Sequence, residues 1–206
     1  MSLPLIGCRY QIILTRGGWP IVSLKDIVDI YDGPHATPKK TETGPYFLGI
    51  SNLHNGRIDF SSSAHLSEKD FAQWTRRVTP LPGDLVFSYE TRLGQAALIP
   101  EGFRGCLGRR MGLMRPRSEA VNNRFLLYAF LSPDFQETIR ARTVHGSTVD
   151  RIPLLEMPNF PIRIPEYAKV ARDNYPDRAA TTILAGRSEV GDYGPVVRGD
   201  GGEPWP

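Results

Sequence analysis

Cysteine is nearly missing from this 206-residue chain, which holds only Cys8 and Cys106. Two thiols are too few for a disulfide framework, and their spacing fits no metal motif, so the sequence reads as one for a reducing cytoplasm. The four histidines, His35, His54, His65 and His145, are scattered without HxH or HExxH spacing, which argues against a metal site. No run approaches the roughly 20 apolar residues that a membrane span needs. Leu5-Ile6-Gly7-Cys8 imitates a lipoprotein cleavage site, but no basic or apolar region precedes it and it reads as chance. Neither a Walker loop nor a Gly-x-Ser-x-Gly elbow occurs. Lysine is missing from residues 76–151, where twelve arginines stand against seven acids.

What is present is globular. With 40% hydrophobic and 23% charged residues, wholesale disorder is excluded, and the length suits one domain with a sizeable core. The formal net charge of +3 is unevenly spread: the arginine zone is strongly basic, while residues 19–75 and 152–206 carry more acids than bases. Arginine offers a planar fork that suits phosphate and guanine edges, which lysine does not. A GC-rich genome, favouring arginine codons everywhere, is the plainer cause of the same bias.

Residues 1–18 lack periodicity, end in Gly17-Gly18 and read as a leader. From Trp19, the positions Ile21, Leu24, Ile27 and Ile30 read as a strand or short helix, followed by a turn-rich loop from Asp32 to Gly44. Tyr46 to Ile50 is expected as a compact buried strand, Asn55-Gly56 as a hairpin turn, and Ser67-Glu68-Lys69-Asp70 as a capped start for a helix through Trp74. Short strands are expected at 84–88, 95–99, 105–107 and 111–115, with Gly83, Pro100, Gly102 and Pro116 in their turns. Arg109-Arg110 reads as lying inside a strand, one side chain outward and the other paired with a buried acid. The period then changes to 3.6. Asn122 can cap a helix through Leu131, and Ser132-Pro133 opens another to about Arg142. The expected body is α+β over residues 19–165, a β-rich, twisted-sheet or barrel-like domain with flanking helices. Residues 166–185 could form one helix interrupted by Pro176, and the Gly- and Pro-rich 186–206 reads as a disordered tail.

Candidate binding residues fall mainly in loops, where recognition usually lives. In "GDLVFSYETRLGQAALIPEG" the island Tyr89, Thr91 and Arg92 interrupts two apolar runs at a strand tip. Lys39 and Lys40 lie in the Pro-rich loop, and Asn52 and Arg57 flank the Asn-Gly hairpin. Arg76, Arg77 and Arg110 come from the basic zone, and Gly146-Ser147-Thr148 offers backbone N–H groups and two hydroxyls to a phosphate. The plainer readings are that Ser147 or Thr148 caps the next turn and that Asn52 only shapes one. Glu90 as the general base of a nuclease-like or hydrolytic enzyme is the competing class, but no second carboxylate or histidine stands at a telling distance in sequence.

The string "GDLVFSYETRLGQAALIPEGFRGCLGRRMGLMRP", followed by "NNRFLLYAFLSPDFQETIRARTVHGSTVDRIPLLEMPNFPIRIP", resembles the target recognition domain of type I restriction-modification specificity subunits. The segments "WPIVSLKDIVDIYDGPHATP" and "GPYFLGISNLHNGRIDF" are similar to that family's entry region, so the resemblance covers Trp19 to Pro165. It implies a non-catalytic domain that reads one half of a split duplex DNA target, in the major groove, and holds no cofactor of its own. It also implies methyltransferase subunits that use S-adenosylmethionine to methylate adenine, and a restriction subunit that uses ATP and Mg2+. By this resemblance the Tyr89 to Arg92 island is a turn presented to DNA. Where the family continues into long paired helices after a glutamine-rich start, this sequence has "EYAKVARDNYPDRAATTILAGRSEVGDYGPVVRGDGGEPWP", with no sustained heptad. The expectation is therefore a C-terminally truncated half-subunit, with a homodimer of such halves as one possible assembly and a non-functional remnant as a third reading.

Overall fold

The computed structural model describes residues 19–35, 38–117, 121–146 and 149–165. The expectations for 1–18, for Ser147 and Thr148, and for everything after Pro165 lie outside these residues. The architecture is α+β, as expected. In chain order the strands are β1 (Ile21–Ser23), β2 (Val28–Asp32), β3 (Lys40–Leu48), β4 (Leu53–His54), β5 (Arg57–Ile58) and β6 (Ala64–Leu66). Helix α1 (Glu68–Trp74) is followed by β7 (Leu85–Ser88), β8 (Ala96–Leu98), β9 (Gly105–Leu107) and β10 (Met111–Pro116). Helices α2 (Asn123–Leu131) and α3 (Pro133–Arg142) precede the last strand, β11 (Pro161–Arg163).

The centre is an antiparallel sheet in the order β2-β10-β7-β8. Both of its faces are covered, which is why Leu85-Val86-Phe87 is apolar without alternation. Side chains one apart on a strand point to opposite faces. Leu85, Phe87 and Met114 therefore meet Phe125 and Phe130 of α2 and Phe135 of α3, together with Phe160 and Ile162. Val86, Leu113 and Met111 meet Leu48, Leu53 and Leu107 on the other side. There a second sheet, β6-β3-β9, and the short hairpin β4-β5 form the opposing layer. Strands β1 and β11 pair with each other and bring the two ends of the described chain together.

Local chemistry fixes the ends of the helices. The Asn122 side chain accepts from Phe125 N at 3.1 Å, Ser132 Oγ from Phe135 N at 3.3 Å, and Ser67 Oγ from Asp70 N at 3.1 Å. Each satisfies an N–H that the first helical turn leaves unbonded. At the Asn55-Gly56 turn both residues have positive φ, 43° and 94°, the geometry a tight two-residue hairpin requires.

Two expectations are corrected. The loop after Asp32 ends earlier, because β3 begins at Lys40; its register against β6 shifts between Thr41 and Tyr46, around Gly44 and Pro45, so the strand bulges there. Tyr46 and Phe47 are only half-buried as a result. Arg109 and Arg110 are not inside a strand. Strand β9 pairs in parallel with β3 in one sheet, and β10 pairs with β7 in the other, so Gly108-Arg109-Arg110 must carry the chain between layers. Gly108 N donates to Leu48 O, and Arg110 turns the corner at φ 70°.

Candidate nucleic-acid interface

The chain order places one end of the central sheet as a platform. Strand β2 ends at Asp32 opposite Gly112, and β7 ends at Ser88 opposite Met111, so Asp32, Arg110 and the Tyr89 to Arg92 island share this end. A polar network ties them. Tyr89 OH donates to Asp32 Oδ1 at 2.9 Å, while Asp32 Oδ2 lies 2.7 Å from His35 Nε2 and 3.6 Å from Arg77 Nη1. Burial, and then the adjoining Asp32 carboxylate, hold the Tyr89 phenol well above its ordinary range, so it stays a neutral donor. Beside it Glu90 Oε2 meets Arg110 Nε at 2.8 Å.

The tip itself is closely tied. Thr91 has φ 64°, an uncommon conformation for a β-branched residue, and Gly94 follows at 74°. The Ser88 hydroxyl donates to the Arg92 carbonyl, Arg92 N donates to Glu90 O at 2.7 Å, and Gly94 N to Ser88 O at 3.3 Å. Gln136 of α3 donates to Gly94 O at 3.3 Å, and Ile152 N to Tyr89 O at 2.8 Å. Glu90 also bridges to Arg151 through the backbone. From the other side, Asn55 N donates to Gln95 Oε1 and Gly56 N to Ala96 O, both at 2.9 Å, which docks the β4-β5 hairpin beside the island. Side chains presented here are held on a scaffold, not on a loose loop.

The twelve arginines of the basic zone separate into two populations. Arg77, Arg104, Arg110, Arg115, Arg117 and Arg140 pair with Asp32, Glu68, Glu90, Asp84, Asp29 and Glu137 respectively. The deepest pair joins Arg115 to Asp84, whose side chain is 3% exposed and accepts from Nε at 2.9 Å and from Nη2 at 2.7 Å. The other six have no acidic partner among the described residues. Arg142 lies over the Phe160 ring, 5.0 Å from its centroid, and Arg92 reaches only Ile50 O at 3.5 Å. Arg76, Arg109, Arg124 and Arg151 are exposed with no side-chain partner among the described residues. Three of these six belong to the sheet end: Arg92 in the island, Arg109 next to Arg110, and Arg151 on the strand segment bridged to Glu90.

Two of the expected contact residues, Asn52 and Tyr89, are buried. Asn52 is 2% exposed, and its amide is already used: Oδ1 accepts from Gly49 N, and Nδ2 donates to Asp59 O and Ser62 Oγ. Tyr89 is 5% exposed, with its hydroxyl committed to Asp32, so it braces the site from within. Arg57 is exposed on β5, opposite His54, next to the island through the docked hairpin. Thr91 and Arg92 are exposed at the tip itself. Lys39 and Lys40 are exposed at the start of β3, where Lys40 faces Leu66, and connect to the sheet end only through the loop that leaves Asp32. Asp32 and Arg151 had drawn no attention in the sequence. Their partners lie 57 and 61 residues away, and no local pattern signals such a pairing. Among the described residues no group of three or more His, Cys, Asp or Glu could hold a metal, and no helix is long and apolar enough to cross a membrane.

The fold is one found in the S subunits of type I restriction-modification systems. The crystal structure of the S subunit from M. genitalium matches over 74% of this chain, with TM-score 0.51 and 16% identity. The HsdS subunit from Thermoanaerobacter tengcongensis matches over 82%, with TM-score 0.52 and 18% identity. The chain spans 36% and 37% of the lengths of those two proteins. No protein-family model matches the chain, and neither does any curated protein.

Proposed function

We propose that the chain is a target recognition domain that binds duplex DNA by sequence, as half of the specificity subunit of a type I restriction-modification complex. It performs no chemistry itself. It directs adenine methylation and cleavage by partner methyltransferase and restriction subunits, which bring S-adenosylmethionine, ATP and Mg2+. The observation that carries this reading is the gathering of unpaired arginines, Arg92, Arg109 and Arg151, around one braced end of the central sheet. Cations left without internal partners are available to phosphates, and a braced scaffold fixes the few side chains that reach base edges. The shared fold supports the same reading. Against the hydrolytic alternative stands Glu90, the carboxylate it would use, which is engaged by Arg110 at 2.8 Å.

The test is retention of randomised duplexes by the purified chain at about 50 and 200 mM salt, followed by sequencing. A short enriched motif with affinity falling steeply in salt is expected. A folded chain that enriches no motif, and whose retention is no better than that of a basic control protein, overturns the proposal.

A further inference from the structure

We infer that Arg110 is the residue of this domain that reads a guanine, and that Glu90 is its positioning residue. The inference rests on the DNA-recognition reading and specifies which side chain of the sheet end supplies sequence choice. Arg110 differs from four of the five other paired arginines in how its guanidinium is used; the fifth, Arg77, meets Asp32 only at 3.6 Å, from a side chain that is 63% exposed. Arg115, Arg117 and Arg140 each give Nε and Nη2 to their carboxylates, and Arg104 gives both Nη groups to Glu68. Arg110 approaches Glu90 most closely through Nε, at 2.8 Å, and neither Nη group donates a hydrogen bond among the described residues. The fork of two terminal donors is left open, with the side chain 37% exposed. A guanine presents two acceptors, O6 and N7, at the spacing of that fork in the major groove.

Three features hold the fork in place. The backbone of Arg110 is fixed at φ 70° in the corner between two sheets, and its carbonyl accepts from Tyr89 N at 3.2 Å. Glu90 is itself anchored, 21% exposed and bridged to Arg151. The stem of Arg110 leaves a sheet end, not a loop tip, so little freedom is lost on binding. Charge also separates this residue from its neighbours. A phosphate approaching Arg110 meets the Glu90 carboxylate as well, and the pair is neutral as a unit, so it adds little to backbone attraction. A base edge carries no net charge, so the same carboxylate opposes it far less than it opposes a phosphate. Arg92 and Arg109, lacking any acid, are the phosphate-facing members of the same cluster.

The experiment is the randomised-duplex selection, with salt slopes, on the full chain and on Arg110→Ala, Arg110→Lys, Glu90→Gln and Arg92→Ala, each checked for a cooperative melt. The parent is expected to enrich a motif containing a guanine. Arg110→Lys, which keeps the pair neutral, should lose preference at that one position by roughly 5- to 150-fold with the salt slope unchanged, and Arg110→Ala should lose the same preference while leaving the Glu90 carboxylate uncompensated. Glu90→Gln should relax the same position while steepening the slope, because the freed guanidinium becomes available to phosphate. Arg92→Ala should instead lower the slope by about 0.9 and keep every letter of the motif. If the parent enriches a motif and Arg110→Ala and Arg110→Lys both keep it intact, the inference fails while the DNA-recognition reading stands. If Arg110→Ala weakens all sequences equally and lowers the slope by about 0.9, Arg110 is a phosphate contact and the inference is likewise overturned. A folded parent that enriches nothing removes both.

Discussion

Replacing Arg115 with methionine should cost stability and leave DNA binding alone, although Arg115 belongs to the same basic zone as Arg92 and Arg109. The Asp84 side chain beneath it is 3% exposed and holds three donors: Leu81 N at 2.8 Å, Arg115 Nε at 2.9 Å and Arg115 Nη2 at 2.7 Å. Nη2 also reaches Thr79 O at 2.9 Å, which ties the segment after α1 to strand β10. The pair holds the guanidinium above its ordinary affinity for protons, with the Asp84 hydrogen bonds as the main cause, so it stays charged throughout the accessible pH range. Removing the cation strands a buried carboxylate, a change that costs roughly 3–5 kcal/mol when no water can reach it. The Arg115 side chain is 31% exposed, so water will take over part of its role. That discount brings the expected loss to about 2–3 kcal/mol. For a domain of this length the melting temperature should drop by roughly 5–10 °C. Urea unfolding followed by circular dichroism measures the loss. Arg115→Met combined with Asp84→Asn should regain much of it, because the stranded charge is gone. The salt slope of DNA binding, measured well below the melt, should match the parent. A loss under about 0.5 kcal/mol, accompanied by a slope lowered by about 0.9, would refute the reasoning and put Arg115 on the DNA side.

Further outcomes follow from the same geometry. Arg109→Ala and Arg151→Ala should each lower the salt slope by about 0.9 with stability within about 0.5 kcal/mol of the parent; slopes that stay put would remove them from the interface. Gly112→Ala would set a Cβ 2.4 Å from Cζ of the fully buried Phe87, so urea unfolding should show a loss of about 1–3 kcal/mol, and an unchanged midpoint would mean that the ring has room to move. Cys106 is 1% exposed, and burial pushes its thiol up to about 12 from an ordinary value of 9.0. In a Cys8→Ser background it should resist alkylation at pH 8 until urea unfolds the chain; rapid native labelling would contradict its burial. Because the folded state prefers the protonated thiol, that contribution is complete below pH 9 and is lost as pH rises towards 12, so stability should decline on the alkaline side.

The parts of the fold legible in the sequence were those specified locally. Asn122 and Ser132 start helices because their side chains reach N–H groups three residues on, and Asn55-Gly56 turns because it tolerates positive φ; both signals lie within four residues. Arg109-Arg110 was misread because the apolar residues on either side, Leu107 and Met111, belong to different sheets. A three-residue crossing between layers looks, in sequence, like one continuous strand. The site was legible in composition but not in detail. The excess of arginine marks the region from which the candidate site is drawn, yet five of the twelve arginines answer to acids distant in sequence, such as Asp29 for Arg117 and Glu68 for Arg104. Tyr89 drew attention as a surface aromatic, but its partner Asp32 comes from another strand of the sheet, and that pairing is what buries it.

This division of the arginines bears on how a small domain separates affinity from sequence choice. If all twelve faced DNA, the attraction would be strong and indifferent to sequence, since phosphates carry no code. Pairing six of them with acids leaves a modest unpaired set to hold the backbone and uses the rest to fasten layers together. Arg115 fastens the segment after α1 to β10, Arg104 fastens β9 to α1, and Arg117 ties the end of β10 to β2. Arg110 stands between the two populations, charged and paired, yet with its terminal donors open. A neutralised, braced fork gives up general attraction and keeps directional hydrogen bonding, which is the combination a base-reading residue needs. The contrast between Arg110 and Arg92, separated by one charge partner, reduces to whether the motif or the salt slope changes.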